Sequence, residues 1–345
     1  MSLTHTAYTS RKLIKWGGIF VLGFTMIYMV ANVAIAAYRT AHPPYVPPDI
    51  KYGILPKTIF PEKTFIKKNF TEQLANDTFP KYADQANVYI ITRPDNTFLA
   101  LEQDKNTAKA LGFKSDPTQI KDGVYEFKNT TLNQTLTMNV LEGSFQMAYP
   151  YQSDQMLLNP TKMPTKEESI NLAKDYLSGT GKLPDDLGGG ENKISYWKIG
   201  NEGLKSVSSL SEANIVKVDF FRKTIGSDLK VMSAAVNSSS VSVLVSGSTV
   251  EGKRIVEVNY KYASIDRELY STYPIKTVEE AWNDLKNGNY WPAVDGSSND
   301  VAIKNVYLAY FEPVSLTNYL QPIFVFEGDQ NFVAYVPAVT DKYIK

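Results

Sequence analysis

The sequence predicts an α+β protein: one N-terminal transmembrane helix followed by two or three units of antiparallel sheet, each with one packed helix. Three observations predict it. The run from Gly17 to Ala37, GGIFVLGFTMIYMVANVAIAA, carries no charge over 21 residues. Behind it, short runs rich in Tyr, Phe, Val and Thr recur between turn-forming residues, in a chain with 22 Tyr and 16 Phe. Twice, at Thr165 and Thr277, a Thr-x-Glu-Glu signal opens an amphipathic helix and further strand-like runs follow.

The apolar run comes first. At about 1.5 Å per helical residue it reaches roughly 31 Å, which matches a hydrocarbon core about 30 Å thick. Arg11, Lys12 and Lys15 precede it, and Arg39 is the only basic residue close behind. That bias keeps residues 1–16 in the cytoplasm, as a tail too short to fold, and exports everything after Tyr38. The expected location is thus the plasma (inner) membrane, single-pass, with an extracytoplasmic C-terminal part. Trp16 and Tyr38 bracket the span as interfacial aromatics. Asn32 lies near its outer end, either wetted at the headgroups or hydrogen-bonded to a partner helix. A cleaved signal is the competing reading, since Ala34-Ile35-Ala36 has the small-x-small form of a cleavage site. Signal cores run about 7–15 residues, which favours an uncleaved anchor, and both readings export the rest.

Residues 39–49, RTAHPPYVPPD, hold two Pro-Pro pairs and read as a polyproline strut; with 50–62 they complete a proline-rich segment over 39–62. Ile54, Leu55, Ile59 and Phe60 would be wasted on a solvated strut, so 52–62 is expected to pack, extended, on the first folded unit.

That unit is expected over 63–160. Strand-like 88–93, a Pro94-Asp95-Asn96 turn and extended 98–101 read as a hairpin. A short helix at 105–111 is stopped by Gly112. Strands are expected at 124–128, 135–141 and 144–149, with turns at 129–133 and 142–143. A second unit, 161–264, opens on the Thr165 cap with Glu168 three residues on, and Ile170, Ala173 and Leu177 share one face. Strand-like runs follow at 194–199, 215–225, 229–235, 241–246 and 254–262. The third unit, 265–345, repeats the form: Thr277 caps, Val278, Ala281, Trp282 and Leu285 fall at i, i+3, i+4 and i+7, and strands are expected at 301–311, 319–326 and 332–337.

The third unit carries a family likeness. Its Thr-x-Glu-Glu-Ala helix start, then VYLAYFEP, YLQPIFVFEG and FVAYVPAV, resemble the last repeat of membrane-anchored extracytoplasmic accessory regulators of the Yyc-type (WalK) histidine kinase, and more broadly PepSY-type domains. Gln321-Pro322-Ile323-Phe324 corresponds to the family's Pro-aromatic strand, with Phe324 where Trp is frequent. The likeness covers roughly 275–340 well, 163–262 loosely, and the first unit hardly at all. It implies a capped helix lying across an antiparallel sheet, and a noncatalytic, partner-binding role.

Composition narrows the chemistry. Thirty-six basic and 36 acidic residues cancel, so nothing recruits nucleic acid or an anionic surface. With no cysteine there is no disulfide, thiolate metal site or cysteine nucleophile. The two histidines, His5 and His42, fall in the tail and the strut, which removes a Ser-His-Asp triad and the usual zinc sites from the folded units. No cofactor and no metal are expected. The adjacent carboxylates Glu167/Glu168, Asp185/Asp186 and Glu279/Glu280 diverge by about 100° on a helix and read as partners of helix N-termini and loop charges. Ser195-x-x-Lys198 and Ser227-x-x-Lys230 sit in strand-like sequence, where i and i+3 point to opposite sides. The loop 295–300, DGSSND, has calcium-type oxygens without the spacing of a calcium-binding loop, and reads as a solvated turn. Gly188, Gly189 and Gly190 lack the following Lys-Ser/Thr of a phosphate cradle. The aromatics Tyr149, Tyr151, Tyr290 and Trp291, at element ends, are the candidate interaction surface, against a competing role in the core. The expected function is a noncatalytic membrane-anchored interaction or regulatory protein that binds a membrane or envelope protein. An envelope-glycan hydrolase or glycan binder using carboxylates and aromatics is the alternative.

Overall fold

In a computed structural model the described residues are 3–41, 45–92, 98–226, 228–313 and 317–345. The expected turn at 94–96, His42 with the Pro43-Pro44 half of the strut, and Ser227 lie outside them. The chain forms two compact units, Met1–Pro47 and Pro48–Lys345.

The first unit is a single helix, α1 (Leu3–Ala41), 39 residues long. Its stretch Ser10–Thr40, of mean hydropathy 2.2, is long and apolar enough to span a membrane, and none of it is buried within the protein. The helix begins well before the expected span. Residues 3–16 hold neither Pro nor Gly, so helix nucleated in the apolar run propagates through what was expected to be an unfolded tail.

The second unit is mixed α+β with two large sheets. Its strands are β1 (Asn69–Glu72), β2 (Gln85–Thr92), β3 (Thr118–Lys121), β4 (Val124–Asn129), β5 (Gln134–Asn139), β6 (Ser144–Ala148), β7 (Asn192–Gly200), β8 (Gly203–Val207) and β9 (Ile215–Phe220). Eight follow: β10 (Val231–Met232), β11 (Val241–Ser246), β12 (Ile255–Tyr260), β13 (Ser264–Pro274), β14 (Trp291–Val294), β15 (Asp300–Phe311), β16 (Tyr319–Gly328) and β17 (Val333–Pro337). The helices are α2 (Phe98–Ala110), α3 (Gln155–Leu158), α4 (Lys166–Gly179), α5 (Asp185–Gly188) and α6 (Val278–Asn287).

One sheet has nine strands in the order β3-β4-β5-β6-β12-β11-β9-β7-β8, and every pairing in it is antiparallel. The other has eight, with the path β1-β15-β16-β17-β14; β10 joins β15, and β2 joins both β13 and β16. These sheets cut across the units expected at 63–160, 161–264 and 265–345. Strands from the first two share the nine-stranded sheet, while β1 and β2 cross to the C-terminal one. Four of the eight residues of β2 are buried, and it lies between β13 and β16, a pairing no local pattern encodes.

Both capping boxes form. Thr165 Oγ1 accepts from Glu168 N at 3.2 Å while the Glu168 carboxylate accepts from Thr165 N at 2.7 Å, and Thr277 and Glu280 repeat the geometry with the same distances. α4 buries Ala173 and Leu177 on the nine-stranded sheet with Phe220, Val243 and Val258. α6 buries Val278, Ala281, Trp282 and Leu285 against Phe324, Phe326, Ala334 and Val336, the helix-on-sheet arrangement expected for 265–345. It ends where Gly288 takes φ 90° and Asn289 N donates back to Asp284 O at 2.9 Å. Thr277→Ala is expected to cost about 1 kcal/mol of stability, read as a lower urea midpoint, whereas Thr277→Ser should be near neutral.

Three further expectations change. Residues 98–101 are the first turn of α2 rather than a strand: FLALEQDKNTAKA is rich in strong helix formers, and Ala100, Asp104 and Ala108 recur every four residues on the buried side. The run 229–235 shrinks to the two-residue β10, paired parallel with Tyr310 and Phe311. The segment after the strut packs on the C-terminal sheet, not on the first expected unit. Leu55 N donates to Tyr343 O at 2.8 Å, Gln321 Nε2 to Pro56 O at 2.8 Å, and Trp291 Nε1 to Pro61 O at 2.8 Å.

Candidate functional site

The four aromatics proposed as an exposed surface are core residues. Tyr149, Tyr151, Tyr290 and Trp291 are 8, 6, 7 and 8% exposed. Trp291 stacks on Phe60 (centroids 5.4 Å apart, planes 5° apart), so the strap after the anchor covers it. Tyr290 sits 4.9 Å from Phe65 of the same strap. Tyr149 donates to Asp154 Oδ2 at 2.5 Å, and Lys253 approaches that same oxygen at 2.7 Å. Proline neighbours and element ends suggested accessibility for these rings; the later addition of the strap and of Lys253 removes it. Asn32 lies on the exposed surface of α1.

Hydrogen bonds from Lys253 first and Tyr149 second hold the Asp154 carboxyl down at about 2. Asp49 also sits at about 2: burial opposes its ionisation, but hydrogen bonds from Lys51, Ser271 and the Thr272 N–H outweigh it. Both contributions to stability are complete above the unfolded carboxyl range near 4 and are lost as pH falls toward 2. Asp154→Asn should therefore weaken, and not abolish, the acid dependence of the thermal midpoint between about pH 4 and 2, with Asp49 supplying the remainder.

The adjacent carboxylates serve structure. Glu168 and Glu280 complete capping boxes, and Asp185 and Asp186 open α5. Ser195 accepts from Trp197 Nε1 at 2.8 Å on β7, a strand in which Ser195 and Lys198 alternate sides. The loop 295–300 is exposed at Ser297, Asn299 and Asp300 and on its other side meets the buried ammonium of Lys68, which donates to Ser298 O at 2.6 Å and lies 3.5 Å from Asp295 Oδ1. Asp300 is engaged by Asn69 Nδ2 at 2.8 Å. A lysine thus stands where the oxygen-rich loop suggested a cation, and among the described residues no group of three or more His, Cys, Asp or Glu could hold a metal.

A concavity lies along the outer side of α4. Helix spacing puts Glu168, Asn171, Leu172, Asp175 and Tyr176 on one face, next to the face that packs on the sheet. The facing wall is the turn between β11 and β12, from Ser246 to Ile255. Two cavities of about 590 and 610 Å³ result, sharing Leu172 and Arg254. The first is closed by Met156, Pro160 and Met163; the second reaches Leu132 and Met147. Gly247 is required in the wall, since a Cβ there would lie 2.5 Å from Lys162 O. Arg254 donates to Thr249 O at 3.4 Å and its guanidinium is not paired with a described carboxylate. Burial pushes the Tyr176 phenol up, keeping it neutral. The groove is mixed in character: Met156, Met163, Leu172, Leu132 and Met147 alternate with Glu168, Asn171, Asp175 and Glu251, and Arg254 lines both cavities, a geometry that suits an extended chain segment. Sequence reading missed it because its walls, 168–176 and 246–255, are brought together only by the fold.

No family model matches the chain, and no curated protein matches it. Among solved structures it is similar to an uncharacterised protein from Eubacterium rectale, at 12% identity and a TM-score of 0.42, over 75% of this chain and 84% of that one. It is also similar to the Bacillus megaterium YpeB C-terminal domain, at 13% identity and a TM-score of 0.31, over 72% of this chain and 95% of that one.

Proposed function

We propose that this chain is a membrane-anchored, extracytoplasmic interaction protein without catalytic activity, and that the groove beside α4 receives an extended segment of a membrane or envelope protein. The observation that carries the reading is the groove itself: two cavities of mixed lining that share Leu172 and Arg254, whose guanidinium is not paired with a described carboxylate. A peptide strand presenting apolar side chains about a central carboxylate complements it. Outward orientation of the folded unit rests on Arg11, Lys12 and Lys15 preceding the span. The PepSY-like reading of 265–345 rests on its capped helix and its Pro-aromatic strand.

A photoreactive residue placed at Leu172 in the full-length, membrane-inserted chain tests the proposal. It should give a discrete protein adduct that Arg254→Glu weakens at least tenfold, while the same residue at Ile120, exposed on the edge strand β3, gives none. Equal labelling at both positions, or indifference to Arg254→Glu, would remove the groove from consideration.

A further inference from the structure

The two cavities of the groove beside α4 carry opposite charge. Lys162 and Arg254 both line the first, and the one carboxylate in its wall, Glu168, already accepts from Thr165 N in the capping box. In the second, Asp175 comes from α4 and Glu251 from the facing turn, with Arg254 as the one lining cation. Lys162, Asp175 and Glu251 are exposed and form no ion pair or hydrogen bond among the described residues. Single exposed charges are ordinary. Here the signs are sorted along one groove, and the two carboxylates stand on opposite walls of one cavity.

The turn that presents Glu251 and Arg254 is held in place. Between them, Gly252 O accepts from the buried Gln134 Nε2 at 2.7 Å, and the Lys253 ammonium lies 2.7 Å from Asp154 Oδ2. Ser246 Oγ closes the base of the turn with a 2.6 Å bond to Lys253 O. Asp175 projects from a regular helix. A ligand meeting these charges therefore orders little backbone on binding.

Spacing defines what fits. Leu172 borders both cavities beside Arg254, and Asp175 lies three residues further along α4, about 4.5 Å along its axis. An extended segment rises about 3.3 Å per residue and turns alternate side chains to one side, so its second residue onward reaches the carboxylates. We infer that the groove selects an extended segment with an acidic and a basic residue two positions apart. The carboxylate meets Arg254 and Lys162, and the cation enters between Asp175 and Glu251. A segment with two like charges is repelled at one of the cavities, and the order of the two charges fixes which end of the segment lies in which cavity. This inference rests on the groove being a peptide-binding site.

Three fluorescein-labelled nonapeptides on one Leu/Thr frame test it by fluorescence anisotropy with the full-length chain in detergent micelles. One carries aspartate at its fourth place and lysine at its sixth, one aspartate at both, and one lysine at both. The mixed peptide is expected to bind about tenfold more tightly than either like-charged peptide. Asp175→Lys combined with Glu251→Lys should reverse the order, the two-aspartate peptide then binding most tightly; both side chains are exposed, so the exchange leaves the core untouched. Equal affinities of the three peptides, an order that survives the double exchange, or no binding of the mixed peptide overturns the inference. The photo-adduct at Leu172 separates this from the groove reading. Where the adduct forms and Arg254→Glu weakens it, only the charge selection falls; where it does not form, the groove falls and the charge selection with it.

Discussion

Arg222→Met is expected to lower the thermal midpoint of the folded unit by on the order of 10 °C, corresponding to about 3–5 kcal/mol. Arg222 follows β9 and its side chain is almost wholly buried. Its Nη1 donates to Asp186 Oδ2 at 2.8 Å and its Nε to Glu312 Oε1 at 2.8 Å, and Nη2 also donates to Ala263 O. The guanidinium lies 4.0 Å from the ring centre of Tyr262, whose hydroxyl donates to Asp186 Oδ1 at 2.8 Å. Burial first, and then the competing charges of Arg222 and Asp186, bring the Tyr262 phenol up to about 12, so it remains a donor. Ser240 completes the set with a 2.8 Å bond to Glu312 Oε2. Asp186, Arg222 and Tyr262 belong to the nine-stranded side, whereas Glu312 follows β15 of the other sheet and Ala263 directly precedes its strand β13, so one guanidinium pins the two sheets together. Without it, two largely buried carboxylates lose their cation and keep only hydroxyl donors, Tyr262 on Asp186 and Ser240 on Glu312. Arg222→Lys keeps the charge and loses the fork, and should fall between wild type and Arg222→Met. Circular dichroism melts of the full chain in micelles measure this, and a shift under about 2 °C for Arg222→Met would show that the cluster holds nothing together.

Trp291→Ala should destabilise by about 3–5 kcal/mol through lost burial and the cavity left behind. The indole packs among Phe60, Phe311 and Tyr335, with centroids 5.4, 6.3 and 5.6 Å away. Its Nε1–H is satisfied by Pro61 O, so truncation also strands a strap carbonyl. The strap should then detach first, seen as faster amide exchange over 55–63 before any global change. Trp291→Phe keeps most of the ring contact and should cost only about 1 kcal/mol, the share of the hydrogen bond. If Trp291→Ala left stability unchanged and impaired only partner binding, the residue would be an exposed recognition group after all.

The elements that were legible in the sequence share one property. The apolar run of α1, the Thr165 and Thr277 capping boxes and the amphipathic face of α6 are each complete within a few residues, so composition and spacing suffice to show them. Strands β4, β5, β6, β11 and β15 to β17 were legible for the same reason, as runs bounded by turn residues. Strand β13 was not, because SIDRELYSTYP carries Asp, Arg and Glu at its centre and becomes a strand only by pairing with β2.

By itself, then, the sequence determined a single apolar span, a folded α+β part behind it, two capped helices, and a chemistry without cysteine and with histidine only near the N-terminus. Tertiary structure alone decided which strands share a sheet, that Trp291 is covered by a strap 230 residues away, that Lys68 fills the 295–300 loop, and that Arg222 joins the sheets. Local signals are written by hydrogen bonds and periodicities within one turn or one hairpin. Burial and ion pairing depend on partners brought near only by the closed fold, and no window along the chain contains both members.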